Sequence, residues 1–171
     1  MPGDSAVKQD FIDNLIKKWQ AECPDLDVRP IAVVGRAIRI AELMKQRLRD
    51  LLRPHGLEVW EFEVLATLRW RGGEEGMTPT ELMEALKISS GTLTHRIDQL
   101  EKTGFVERVP NPNDRRSVRV HLAARGVEVV GEALVEHIQS ANAAVSDVSL
   151  HDQKLAAGVL KRVLANVEDD S

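Results

Sequence analysis

Residues 105–126 read FVERVPNPNDRRSVRVHLAARG, and the fold turns on what this stretch is. Phe105 to Val109 and Val118 to Leu122 alternate in polarity and are rich in β-branched residues, which predicts two short strands. Between them Pro110, Asn111, Pro112, Asn113 and Asp114 supply turn chemistry. The expected product is a hairpin with Arg115 and Arg116 at its tip and Arg119 just behind. Guanidinium groups on a rigid lever suit a phosphate backbone or a narrow groove, because the charge is permanent and the planar fork matches phosphate oxygens. An arginine-rich turn alone is as readily a solvated tip. What precedes it decides.

Upstream, Thr78-Pro79-Thr80-Glu81 has the form of a helix start, with a Thr cap, Pro in the first turn and Glu three residues after the cap. That helix is short and ends near Leu86. A second start falls at Ser89 or Ser90, and its helix runs to Lys102 with Gly104 as the stop. Two short helices joined by a few residues form a helix-turn-helix. With the hairpin directly after it, the order is that of a winged helix-turn-helix.

Almost everything else is helical in pattern. Amphipathic segments are expected over Val7–Glu22, Pro30–Arg53 and Glu58–Trp70, then for about 20 residues from Gly126 to near Asp147. A last helix is capped by Ser149. The fold class is therefore mainly α with a small β-hairpin wing. The long N- and C-terminal helices are too apolar on one face to stand bare, so they are expected to dimerise.

In the second short helix, Leu93, Ile97 and Leu100 share the core-facing stripe. The other face offers Ser90, Gly91, Thr92, Thr94 and His95 from its first turns. Small hydroxyl side chains at a helix N-terminus can approach phosphates, Thr methyls can meet thymine, and His95 can donate to a base edge. Ser89 and Ser90 also serve as caps. With few cations on this face, much of the affinity is expected from the wing.

The chain has 171 residues and a formal net charge of −4, but its charge is segregated. Residues 110–126 carry +3, residues 29–56 carry +5, and residues 127–171 carry −5. One basic surface with acids kept elsewhere fits nucleic acid better than the net charge suggests. A single cysteine, Cys23, rules out an internal disulfide framework and fits a reducing compartment. No apolar run approaches a membrane span and no secretory h-region opens the chain, so a soluble, cytoplasmic protein is expected.

On these residues the chain resembles the MarR family of bacterial transcriptional regulators over almost its whole length. The resemblance implies one domain over 1–171, with N-terminal and first dimerisation helices at 7–56, the winged helix-turn-helix at 57–126 and C-terminal dimerisation helices at 127–168. It implies a homodimer on palindromic operator DNA. The family's wing signature is matched at Asp114, Arg116, Leu122 and Gly126, which implies that Asp114 orients the wing while Arg116 enters the minor groove. Ala123 departs from the usual Thr, which would cap the following helix and contribute about 1 kcal/mol.

Four segments look like the PecS-like, urate-responsive subgroup: WQAECPDLD (19–27), GLEVWEFEVLATLR (56–69), SSGTLTHRIDQLEKTGFVER (89–108) and PNDRRSV (112–118). That likeness implies an effector site made of Trp19, Arg96, Arg108 and, where the subgroup has Asp, Glu63. Urate is planar and anionic near neutral pH, which suits arginine forks and an aromatic wall. Arg96 on the second short helix and Arg108 on the first strand would couple such a ligand to both reading elements. The same arginines also suit ordinary salt bridges, and Trp19 suits packing.

Other readings compete. A phenolic or aromatic acid could replace urate as effector, or oxidation at Cys23 could release DNA. Cys23 is flanked by Glu22 and Asp25, which repel a thiolate, and the chain has no Tyr. The five histidines lack metal-ligand spacing, so no metal is expected. His137 could meet its symmetry mate in a dimer. No phosphate loop or nucleophile motif is present, so neither an enzyme nor a cofactor is expected. A helical dimer that binds protein instead of DNA would not need Arg115 and Arg116 together.

Overall fold

The computed structural model describes residues 9–112 and 114–169, and at 114–116 it describes the backbone alone. The chain divides into two compact units between Arg49 and Asp50.

In the first unit, helix α1 spans Phe11–Glu22 and helix α2 spans Ile31–Leu52, crossing the division near its end. The start of α1 is later than the Val7 that periodicity gives. Asp10 and Asp13 form a reciprocal capping box, each carboxylate accepting the other's backbone N–H at 2.9 and 3.0 Å. Gln9 and Asp10 therefore stand outside the helix, while residues 7 and 8 lie outside the described residues. The Arg36 guanidinium then joins α2 to that cap, donating to Asp10 and Asp13 at 2.8 and 2.6 Å. Gly35 receives the buried Ile12 in the space a side chain would fill.

The second unit begins with a 3-10 turn at Arg53–His55, closed by Gly56 in the left-handed region. Helix α3, Val59–Thr67, passes without a break into a π-helical turn at Leu68–Gly72. Helix α4, Pro79–Leu86, starts on the Thr78 capping box, whose Glu81 carboxylate accepts the Thr78 N–H at 2.7 Å. Helix α5, Ser90–Lys102, is capped by Ser89. Between α4 and α5, Lys87 takes a left-handed conformation, φ 52°. Leu93, Ile97 and Leu100 of α5 are buried with Leu65, Leu68 and Leu82, each large apolar side chain contributing about 1.5–3 kcal/mol.

Strands β1, Val106–Asn111, and β2, Asp114–Leu122, pair antiparallel. Both extend further than alternation indicates, and Pro110, Asn111 and Asp114, expected in the turn, belong to the strands. The register is regular from Val106↔Leu122 to Pro110↔Val118, then jumps to Asn111↔Asp114. Arg115, Arg116 and Ser117 intervene between those two pairs. The adjacent arginines thus belong to an irregular stretch of the returning strand and not to the turn. At the other end, Met77 and Val120 exchange backbone hydrogen bonds of 3.0 and 2.7 Å, adding a one-residue third strand.

Helix α6 spans Ala124–Ala144 and helix α7 spans Leu150–Asp169. Gly126, read as the residue before a helix, lies inside α6. An added Cβ there would stand 2.0 Å from the Phe105 carbonyl oxygen, so the start of β1 lies directly on the first turn of α6. Ala123 occupies the cap position with no side-chain hydrogen bond, as its methyl dictates. Ser149 does cap α7, accepting the Asp152 N–H at 3.1 Å. None of the described residues of α7 is buried, and Leu155, Leu160, Leu164 and Val167 are exposed. Among the described residues no helix is long and apolar enough to cross a membrane.

Candidate nucleic-acid interface

Helix α5 carries Ser90, Gly91, Thr92, Thr94 and His95 exposed on the face opposite its buried stripe. Ser89 accepts the Thr92 N–H at 3.3 Å, and the two hydroxyls lie 2.9 Å apart. The Thr94 hydroxyl donates back to the Ser90 carbonyl at 2.9 Å. Nothing lies within 4 Å of where a Gly91 side chain would project, so the backbone is open to close approach. The result is a small, uncharged helix terminus with free N–H groups, able to meet a phosphate.

The side chains of Asp114, Arg115 and Arg116 lie outside the described residues, so their roles pass to the proposal below. The other wing arginines have structural work. Arg119 is only 17 % exposed and donates to the Glu75 and Gly76 carbonyls at 2.6 and 2.9 Å. It thereby holds the loop before α4 against β2. Arg125 donates to the Thr103 carbonyl at 2.7 Å, with its guanidinium 4.6 Å from the Phe105 ring centroid. The +3 charge of this segment therefore overstates the charge open to a partner. Gly76, φ 66°, explains the closeness of that loop, since a Cβ there would sit 2.6 Å from the Val120 oxygen.

The effector candidates fall in different places. Trp19 is partly exposed on α1 in the first unit. Arg108, 28 % exposed on β1, donates to Asp98 at 2.5 Å and also to Glu101, both on α5. Burial works against its charge, but Asp98 and then Glu101 outweigh it, and the guanidinium is held above its ordinary range. This is a direct ionic link between β1 and α5. Arg96 points elsewhere, with its guanidinium 5.5 Å from the centroid of Trp60 on α3. Glu63 is exposed one turn along from Trp60. Arg96 and Asp98 lie on nearly opposite sides of α5, two residues apart, so the two arginines are not gathered on one face. Trp60, Asp98 and Glu101 were missed as partners; the i, i+3 spacings Trp60–Glu63 and Asp98–Glu101 were the available signal. His137 stacks edge-to-face on Phe62, ring centroids 5.6 Å apart. Among the described residues no group of three acidic, His or Cys side chains could hold a metal ion.

Residues 57–118 match the model of the MarR family. The regulator PecS of Dickeya dadantii is 34 % identical over 152 residues, covering 89 % of this chain and 92 % of its own. The chain belongs to the MarR family. Escherichia coli MarR, solved as a cysteine-to-serine mutant in complex with operator DNA, aligns with TM-score 0.65 and 27 % identity over 85 % of this chain and 97 % of that one. AbsC from Streptomyces coelicolor, at 23 % identity, shares the fold with TM-score 0.73, covering 84 % of this chain and 97 % of its own. As a MarR-family protein the chain is a DNA-binding transcriptional regulator and not an enzyme. In that setting α4 and α5 are its helix-turn-helix and β1–β2 its wing.

Proposed function

We propose that this MarR-family regulator is a homodimeric repressor that holds palindromic promoter DNA and lets go when a planar anion, urate or a related purine, binds. The single observation that carries the reading is the Arg108 link, which joins the wing root to Asp98 and Glu101 of the recognition helix. An anion that engages Arg108 competes with those carboxylates, and a ligand shifts a conformational equilibrium only through such differential contacts. Ser90, Gly91, Thr92, Thr94 and His95 approach the major groove. Arg115 and Arg116, oriented by Asp114, reach the minor groove and the backbone. Glu63, Arg96 and Arg108 of the second unit and Trp19 of the first are each candidates to meet the effector, with Arg96 beside Trp60 and Arg108 beside Asp98 and Glu101. The exposed apolar side of α7 supports a dimer, which sets two recognition helices about one DNA turn apart.

A mobility-shift titration on the DNA upstream of the protein's own gene tests this. The expected result is one complex with two chains per palindrome, dissolved by urate or xanthine. Arg108→Gln is expected to keep DNA binding and lose release. Failure of both purines to release DNA overturns the effector assignment, and failure to bind that DNA overturns the repressor assignment.

A further inference from the structure

Trp60 is half-buried rather than sealed in the core, with a guanidinium over its ring and a carboxylate one turn away, a combination that core packing does not require. We propose that the Trp60 face is the platform on which the effector's ring stacks, in the place that Arg96 occupies in the free protein. This rests on the effector reading above and adds a residue to it. Arg96 stands 5.5 Å from the ring centroid, within range of attraction by the ring's electron-rich face. A planar anion offers that face a second aromatic surface and offers the displaced guanidinium oxygen acceptors. Arg96 thus exchanges a cation–π contact for charge-assisted hydrogen bonds, which are stronger.

The geometry makes the exchange consequential. Trp60 belongs to α3 and Arg96 to α5, so the contact is a direct side-chain link between the two helices. Moving Arg96 from the ring to the ligand changes that contact on the side of α5 away from the Arg108 link. Glu63, on the same face of α3 as Trp60, selects the ring. It accepts from ring N–H groups, which an oxopurine presents and a simple aromatic carboxylate lacks.

Calorimetry of the full-length protein with urate and with benzoate tests the platform, using Trp60→Phe and Trp60→Leu and, as control, Trp70→Phe at the exposed indole of the π turn. Urate is expected to bind Trp60→Leu about tenfold or more weaker than wild type, while Trp60→Phe and Trp70→Phe bind nearly as wild type. Stacking on indole also perturbs the near-ultraviolet band of bound urate, and Trp60→Phe is expected to change that signature with its fold intact. Unchanged affinity in Trp60→Leu, or an unchanged signature in Trp60→Phe, overturns the platform and leaves the purine reading standing. Benzoate binding that depends on Trp60, with no urate binding, supports the platform and overturns the purine reading. Binding of neither to wild type overturns both.

Discussion

Gly126→Ala is the sharpest perturbation the fold offers. In most helix interiors this change stabilises by about 1 kcal/mol, because alanine restricts the unfolded chain and glycine does not. Here the new methyl would meet the Phe105 carbonyl oxygen at 2.0 Å, with the Phe105 carbonyl carbon at 3.0 Å. Ordinary contact begins near 3.4 Å, so the start of β1 must retreat from α6 by about 1.4 Å. Both partners are backbone, and no rotamer change relieves the clash. The same movement breaks the 3.0 Å hydrogen bond from the Ala123 N–H to the Phe105 oxygen, worth about 1 kcal/mol. Overpacking of this kind costs about 1–3 kcal/mol, and with the lost hydrogen bond and the helix gain cancelling, the net effect is a loss of about 1–3 kcal/mol. Thermal melting at matched protein concentration should fall by about 2–12 °C. Gly131→Ala, in the same helix, meets only the Arg69 guanidinium at 3.6 Å and should melt about 2–4 °C higher. A Gly126→Ala protein that melts at or above wild type would refute the close contact between β1 and α6.

Two further outcomes follow from the site. Arg119→Ala removes the donor to two loop carbonyls, so it should destabilise by about 2 kcal/mol and leave the salt dependence of DNA affinity unchanged; Arg116→Ala should do the reverse, lowering the salt slope by about 1, with fluorescence anisotropy across a salt series as the check. The Glu81 carboxyl is held below its ordinary 4.5 by the Thr78 backbone N–H and then by the Thr78 hydroxyl. The unfolded chain therefore binds that proton more tightly, and the cap's contribution is complete above pH 4.5 and lost as pH falls through the lowered value. Glu81→Gln should flatten that part of the acid side of a stability–pH curve measured by denaturant melts.

The sequence was most legible where local chemistry and tertiary burial agree. Thr78–Glu81 and Ser89 are strong caps, and Leu93, Ile97 and Leu100 form a clean stripe, so the helix-turn-helix emerged at nearly its true bounds. The wing was harder. Proline and asparagine at 110–112 signal a turn by propensity, yet pairing with β2 carries the strand through Asn111, a tertiary effect that composition does not contain. Gly126 has the look of a stop, because what excludes a side chain there is a carbonyl 21 residues earlier. For the site, charge counting marks residues 110–126 as basic without saying which of their arginines are open to a partner. Arg119 and Arg125 are held by backbone carbonyls, and a sequence cannot say which cations are already engaged. Arg96 and Arg108 share a motif reading, whereas Arg96 on α5 lies over Trp60 and Arg108 on β1 reaches back to Asp98 and Glu101.

The jump in the hairpin register confines irregularity to one end of the wing. Every pair from Val106↔Leu122 to Pro110↔Val118 is fixed before the jump, and the Met77–Val120 bridge pins the same end to the helical body. Residues can therefore be inserted or deleted between Asn111 and Ser117 without turning any core side chain to the wrong face, which a one-residue slip in an ordinary strand would do. The span of the wing across DNA becomes an adjustable dimension, free to lengthen or shorten among related sequences or in engineered ones while the rest of the domain stays the same.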